Sequence, residues 1–218
     1  MLQELGDPAL RVIVALTLRV TGSALLIATV IGVPVGALVG LARFPGRRFI
    51  ALLLYTGMGL PPVVVGLFVY LLLSHGGPMG DLGWLFTPAA MVVAQTVIAF
   101  PLVAALTMSA VESVDADLRL QIRALGATRW QLGWTVVREA RIGVTAAVVA
   151  AFGGIISEVG AVMLVGGNID GQTRVLTTAI VLYARQGEFA VALALGVVLI
   201  GLALTANVVL LRLQGRQR

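Results

Sequence analysis

The sequence predicts an all-α membrane protein: five transmembrane helices and one substantial polar segment on the arginine-rich side. Three observations carry this. Hydrophobic residues make up 59% of the 218-residue chain and charged residues 11%, with a mean hydropathy of +1.04. A soluble domain is roughly 45–50% apolar and about 25% charged, and a globule of this size has nowhere to hide the excess. The apolar residues also gather into five runs, each long enough for the ~20-residue helix that a bilayer core requires. Finally, the arginines alternate from loop to loop.

The first run covers about Val20 to Ala42, with Leu10 as its earliest start. Asp7-Pro8 is suited to cap a short amphipathic segment ahead of it. Ala24, Ala28, Gly32, Gly36 and Gly40 stand four residues apart, so they share one helix face. Small residues at that spacing let two backbones approach closely. The stripe fits packing within one protomer, or else a dimer seam.

The second run is about Phe49 to Ser74 and holds Gly57, Gly59, Pro61, Pro62 and Gly66. Two prolines remove two amide donors and bend a helix. Counted from Arg48, Pro61 lies roughly 20 Å into the bilayer by helical rise. Broken backbone at that depth must be buried in protein or line a watery path. The third run, about Pro88 to Val111, is expected to break at Pro101. These bends are either packing kinks or the flanks of a pathway.

The fourth run, about Ile142 to Gly166, contains Glu158, the only acid inside the predicted spans. An intramembrane acid is costly and faces an interior or a cavity. Glu158 lies roughly 26 Å from Arg141, and Arg19 roughly 36 Å from Arg43, by helical rise. Depth permits an Arg19–Glu158 pair, although Arg19 also suits the headgroups. The fifth run is about Ala190 to Leu211.

Arg43, Arg47 and Arg48 occupy the first loop, and Arg119, Arg123, Arg129, Arg138 and Arg141 the segment between spans three and four. Arg212, Arg216 and Arg218 occupy the tail, whereas the other two loops share Arg174 and Arg185. The positive side is cytoplasmic, so a multi-pass protein of the inner or plasma membrane is expected, N-terminus outside and C-terminus inside. No cleaved signal peptide is evident, because the first apolar run is too long.

Absent residue types narrow the chemistry. All 15 basic residues are arginine and cysteine is missing, which excludes a phosphate-loop lysine, a Schiff base, a thiol nucleophile and a thiolate metal site. His75 is the one histidine. No metal, no cofactor and no catalytic residue is expected. The net charge of +5 reflects membrane edges and not nucleic acid. The chain moves something rather than transforming it, and any nucleotide energy must come from a partner.

The segment of about 112–140 is the most informative polar stretch. Ser113 is expected to cap a helix with Asp115 and Asp117 in its positive first turn. Leu118, Ile122 and Leu125 form an apolar stripe. Gly126 is a natural terminator, and Thr128 starts a second helix. This is a knob for a protein groove, or a helix lying on the membrane surface.

Here the sequence resembles a family. Leu125-Gly126-Ala127-Thr128 with Trp130 is similar to the signature loop of ABC importer permeases, although Leu120-Gln121-Ile122 replaces the usual Glu-Ala-Ala and Arg138 stands near an expected proline. Leu60 to Gly66 with Gly77-Pro78-Met79-Gly80 resembles the second helix of molybdate-type permeases, and Ser157 to Ala161 with Gly167-Asn168-Ile169 and Gly171-Gln172-Thr173 the fourth. Phe86-Thr87-Pro88, Ala94-Gln95-Thr96, Arg138 to Arg141 and Arg174 to Ile180 resemble the tungstate branch.

The resemblance spans about residues 10–212 and implies the type I importer permease fold, one transmembrane domain over 1–218. It implies a homodimer in the lipid bilayer, an extracytoplasmic oxyanion-binding protein, and a separate ABC ATPase that hydrolyses ATP. It places ATPase coupling on Leu118, Ile122, Leu125, Gly126, Ala127 and Thr128. Pro61, Pro62, Pro101 and Glu158 become candidates for a pathway or gate. Tungstate is the expected cargo, with molybdate or another anion as the alternative. A dianion suits amides, hydroxyls and arginines, so a gating or hydrogen-bonding role fits Glu158 better than binding. A stand-alone channel or secondary transporter would need more internal charge or an inverted repeat. An intramembrane protease would need a nucleophile with its base, and His75 lies in a loop.

Overall fold

Two parallel helices run through the whole depth of the molecule and the rest are arranged on them. In this computed structural model, which describes residues 8–215, these are α1 (Pro8–Leu41) and α4 (Pro88–Glu112). Asp7, Arg216 and Arg218 lie outside the described residues. The small-residue stripe of α1 is used within the protomer. A Cβ on Gly32 would lie 3.0 Å from Val103, and one on Gly40 3.0 Å from the Met108 carbonyl oxygen, with Gly36 seated against the Ala104 backbone between them. Contacts advance together along both helices, so the two point the same way.

α2 (Arg47–Met58) and α3 (Pro62–Leu73) form the second span and are bent by 103°. The bend exceeds a proline kink because Gly59 to Pro61 is not helical at all. α5 (Ala116–Ala124) and α6 (Arg129–Glu139) form the polar knob. The fourth run divides into α7 (Arg141–Ile156) and α8 (Gly160–Gly166), separated at Ser157–Val159. α6 meets α7 at 67°, which sets the charged α6 apart from the apolar α7. α9 (Leu176–Arg185) is short, and α10 (Phe189–Gly215) is the outermost long helix. Among the described residues three helices are long and apolar enough to cross a membrane singly, and the count reaches five if each bent pair, α2 with α3 and α6 with α7, is one span.

Three expectations need correction. Pro101 does not break its helix: α4 is continuous from Pro88 to Glu112. The ring is buried and fills the notch left by Gly57, where a Cβ would lie 2.6 Å from it. Ser113 does not start α5. It ends α4, its Oγ donating to the Ala110 carbonyl, while Asp115 caps α5 by accepting from the Asp117 amide. The connection after residue 167 is not merely a loop, since it contains α9. That helix spans ~15 Å, too short for a crossing, so a search for 20-residue runs passes over it.

The core is layered along α1 and α4. Val20, Val65, Val69, Met91, Ala94, Ala161 and Val165 form one end layer. Ala24, Ala28, Ala99, Ala151 and Ile155 form the next. Val39, Leu54, Ala105 and Met108 follow, then Ala37, Val111, Leu132 and Val136 beneath the knob. α9 and α10 attach to the start of α1 through Ile13, Leu176, Ala179 and Leu195. Thr17 Oγ1 there donates to the Ile13 carbonyl and accepts from the Leu176 amide.

Candidate functional site

The knob between α5 and α6 owes its shape to four residues. Gly126 has φ +79°. Its amide donates to the Arg123 carbonyl and the Ala127 amide to the Ile122 carbonyl, the paired bonds of a Schellman turn. One residue later Thr128 opens α6 with a capping box: its Oγ1 accepts from the Gln131 amide, and the Gln131 side chain accepts from the Thr128 amide. Leu125-Gly126-Ala127-Thr128 is thus a stop and a start with one residue between them.

The expected apolar stripe does not act as one surface. Ile122 is half-buried against the layer of Leu132, Val136 and Ala140. Leu118 lines a cleft with Ala110, Val114 and Ala140. These two turn inward, while Leu125 is 87% exposed. Leu120, Trp130 and Trp134 are also exposed, and the two tryptophans stand four apart on one face of α6. Trp130 was legible through the signature loop. In the sequence Leu120 stands out only as a departure from the signature loop and Trp134 belongs to no motif, although a large apolar residue in a charged segment is itself a signal. Arg119 holds the knob to its scaffold, its guanidinium donating to the Val111 and Glu112 carbonyls at the end of α4.

The second feature is the break at Ser157–Val159. Three elements satisfy its backbone. The buried Gln95 side chain of α4 donates to the Ile155 carbonyl at 3.0 Å. Glu158 Oε1 accepts from the Ala161 amide in the first turn of α8 at 2.9 Å. Thr177 Oγ1 of α9 donates to the Glu158 carbonyl at 2.9 Å. The carboxylate of Glu158 is therefore used on its own helix, and the Arg19–Glu158 pair is not formed. Gln95 has no charge to mark it in the sequence, yet an amide in an apolar run carries the same kind of message as an acid there.

Pro61 and Pro62 lie beside this break through α3. A Cβ on Gly66 would lie 2.5 Å from Ala161 Cα, and one on Gly160 2.5 Å from Val63 Cγ2. Pro61, Pro62 and Glu158 thus come together around the α3–α8 contact, whereas Pro101 lies away from it against α2. Beyond α8 the chain turns through Gly167 and Asn168, both with positive φ. Thr173 locks that turn, its buried Oγ1 donating to the Gly166 carbonyl and accepting from the Ile169 amide.

The family model described as the inner membrane component of binding-protein-dependent transport systems matches residues 32–218. A probable anion ABC transporter permease from Haloferax volcanii is 43% identical over 97% of this chain and 95% of its own. The tungstate uptake permease TupB of Peptoclostridium acidaminophilum is 38% identical, covering 95% of this chain and 91% of its own. The molybdenum permease ModB of Escherichia coli is 33% identical over 80% of each. Among solved structures, the inward-facing methionine transporter MetNI superposes with a TM-score of 0.73 over 94% of this chain and 97% of the matched chain, at 22% identity. A bacterial alginate importer gives 0.75 over 94% and 80%, at 20% identity. The helical architecture is thus that of importer permeases, and the chain belongs to the family of inner membrane components of binding-protein-dependent transport systems.

Proposed function

We propose that this chain is the transmembrane permease subunit of an ATP-driven ABC importer that carries tungstate into the cytoplasm. The observation that carries the reading is near end-to-end similarity to permeases named for tungstate and for anions. Similarity to molybdenum permeases, at 33% over 80% of the chain, keeps molybdate as the second reading. The permease is a homodimer of single-domain protomers, 1–218, with its N-terminus outside and its C-terminus in the cytoplasm. An extracytoplasmic binding protein delivers the oxyanion, and ATP hydrolysis belongs to a separate subunit.

Coupling to that ATPase falls to the segment of about 112–140. The exposed Leu125, Trp130 and Trp134 offer apolar anchors, and the turn at Gly126-Ala127-Thr128 fixes their angle. Leu118 and Ile122 contribute from inside by seating α5 on its scaffold. Glu158 serves as a positioning residue at the break, and Pro61 with Pro62 shapes the adjacent α3. Gly126→Val forces a β-branched residue into a left-handed conformation, at a cost of roughly 1–2 kcal/mol. The permease should still insert, but its ATPase should co-purify poorly or hydrolyse ATP without uptake. Normal ATPase recovery with normal uptake would discard the coupling assignment. Tungsten and molybdenum content, measured in parallel in cells with and without the chain, decides the ion.

A further inference from the structure

We infer that the cleft at the start of α2 binds the phosphate of an anionic phospholipid headgroup. The inference rests on the proposed topology, which puts this end of the molecule at the cytoplasmic leaflet. Arg43, Phe44, Gly46, Arg47 and Arg48 line an open cavity of about 290 Å³. Arginines that merely set orientation need only lie in the same loop; here they converge on one concavity. Arg47 forms its wall. Its Nε donates to the Val39 carbonyl at 2.7 Å, and its guanidinium pairs with Glu112. That pair neutralises the nearby acid.

Arg43 and Arg48 are exposed and have no hydrogen-bond or ion-pair partner among the described residues. Gly46, with φ +88°, turns the chain so that α2 begins at this cleft without a side-chain cap. Two guanidinium forks beside a helix start suit a phosphate monoanion. Lipid is favoured as the source by what lies next to the cleft. Phe49, Leu52 and Leu53, at i, i+3 and i+4 on α2, are 63%, 59% and 53% exposed, so an apolar track for acyl chains leaves the cavity along α2.

The test uses the full-length permease purified from vesicles of phosphatidylglycerol or phosphatidylcholine, with retained lipid read by native mass spectrometry. Wild type should retain phosphatidylglycerol several-fold better than phosphatidylcholine. Arg43→Gln with Arg48→Gln should abolish that preference, and Arg43→Lys with Arg48→Lys should keep most of it. Added inorganic phosphate should not displace the lipid from wild type, and this arm holds even if the glutamine variant fails to fold. Equal retention of both lipids by wild type, an unchanged preference in a folded glutamine variant, or displacement by inorganic phosphate would each overturn the inference, the last pointing to a soluble anion. Lipid retention is read on the permease alone, so this inference and the tungstate reading fail separately.

Discussion

Gly66→Ala perturbs the contact on which both broken spans depend. The new Cβ would lie 2.5 Å from Ala161 Cα and 2.9 Å from Ala161 Cβ. Carbon atoms rest at about 3.5–4.0 Å, so α3 and α8 must part by roughly 1 Å, and no rotamer change can relieve a clash with backbone. Overpacking of this kind costs ~1–3 kcal/mol, while alanine's helix preference over glycine returns up to ~1 kcal/mol. A net loss of about 1–2 kcal/mol is expected. At roughly 2–4 °C per kcal/mol for a chain of this size, the midpoint of thermal unfolding in detergent should fall by about 2–8 °C. Gly153→Ala in α7 is the matched control, because nothing within the protomer lies within 4 Å of its added Cβ. That variant should hold or gain stability. Uptake should fall in Gly66→Ala and persist in Gly153→Ala. A Gly66→Ala protein as stable and active as Gly153→Ala would refute the close-packing argument.

Further outcomes follow from the same geometry. Pro61→Ala with Pro62→Ala should leave membrane insertion intact and slow uptake, measured in cells; unchanged uptake would leave the bend as packing. Gln95→Leu withdraws the side-chain donor from the Ile155 carbonyl, so thermal unfolding should register a loss of about 1–2 kcal/mol together with slower uptake. Reporter fusions in the loop of residues 75–81 and at Arg216 should signal from opposite sides of the membrane; signals from one side would refute the five-span topology.

The parts of the fold legible in the sequence were those encoded by one residue type at one spacing. The stripe from Ala24 to Gly40 declared a close approach, and the structure supplies α4 as its partner. Gly126 and Thr128 declared a helix stop and a helix start within three residues, because a left-handed turn and a side-chain cap are local requirements. What stayed hidden depended on distant residues. Leu118 and Ile122 share a stripe with Leu125, but α6 packs over Ile122, Leu118 turns into the cleft beside the end of α4, and Leu125 is left in the open. Pro101 looks like a breaker until Gly57 is seen to make room for its ring. The halves α7 and α8 read as one run because Ser157–Val159 contains no proline, and the groups that accommodate that break, Gln95 and Thr177, lie 60 and 19 residues from their partners.

The breaks at Gly59–Pro61 and Ser157–Val159 meet one problem by different chemistry. Each changes core layer near the same level: α2 packs with Met108 and α3 with Met91, α7 with Ala99 and α8 with Ala94. Each break should expose amides and carbonyls in a medium that does not solvate them. At the first, prolines reduce the number of donors, and the Gly59 and Leu60 amides turn back onto the Thr56 and Gly57 carbonyls. Pro61 and Pro62 have no amide to satisfy, and the Pro61 carbonyl accepts from Val64 and Val65. At the second, side chains meet the need, through Gln95, Glu158 and Thr177. Closing the first break into helix would leave the Gly57 and Met58 carbonyls without their i+4 amide donors, a double loss where α4 carries only the single one at Pro101. Ser157–Val159 is thus tied to α4 through Gln95 and to α9 through Thr177, whereas the Gly59–Pro61 bend is set by its own backbone.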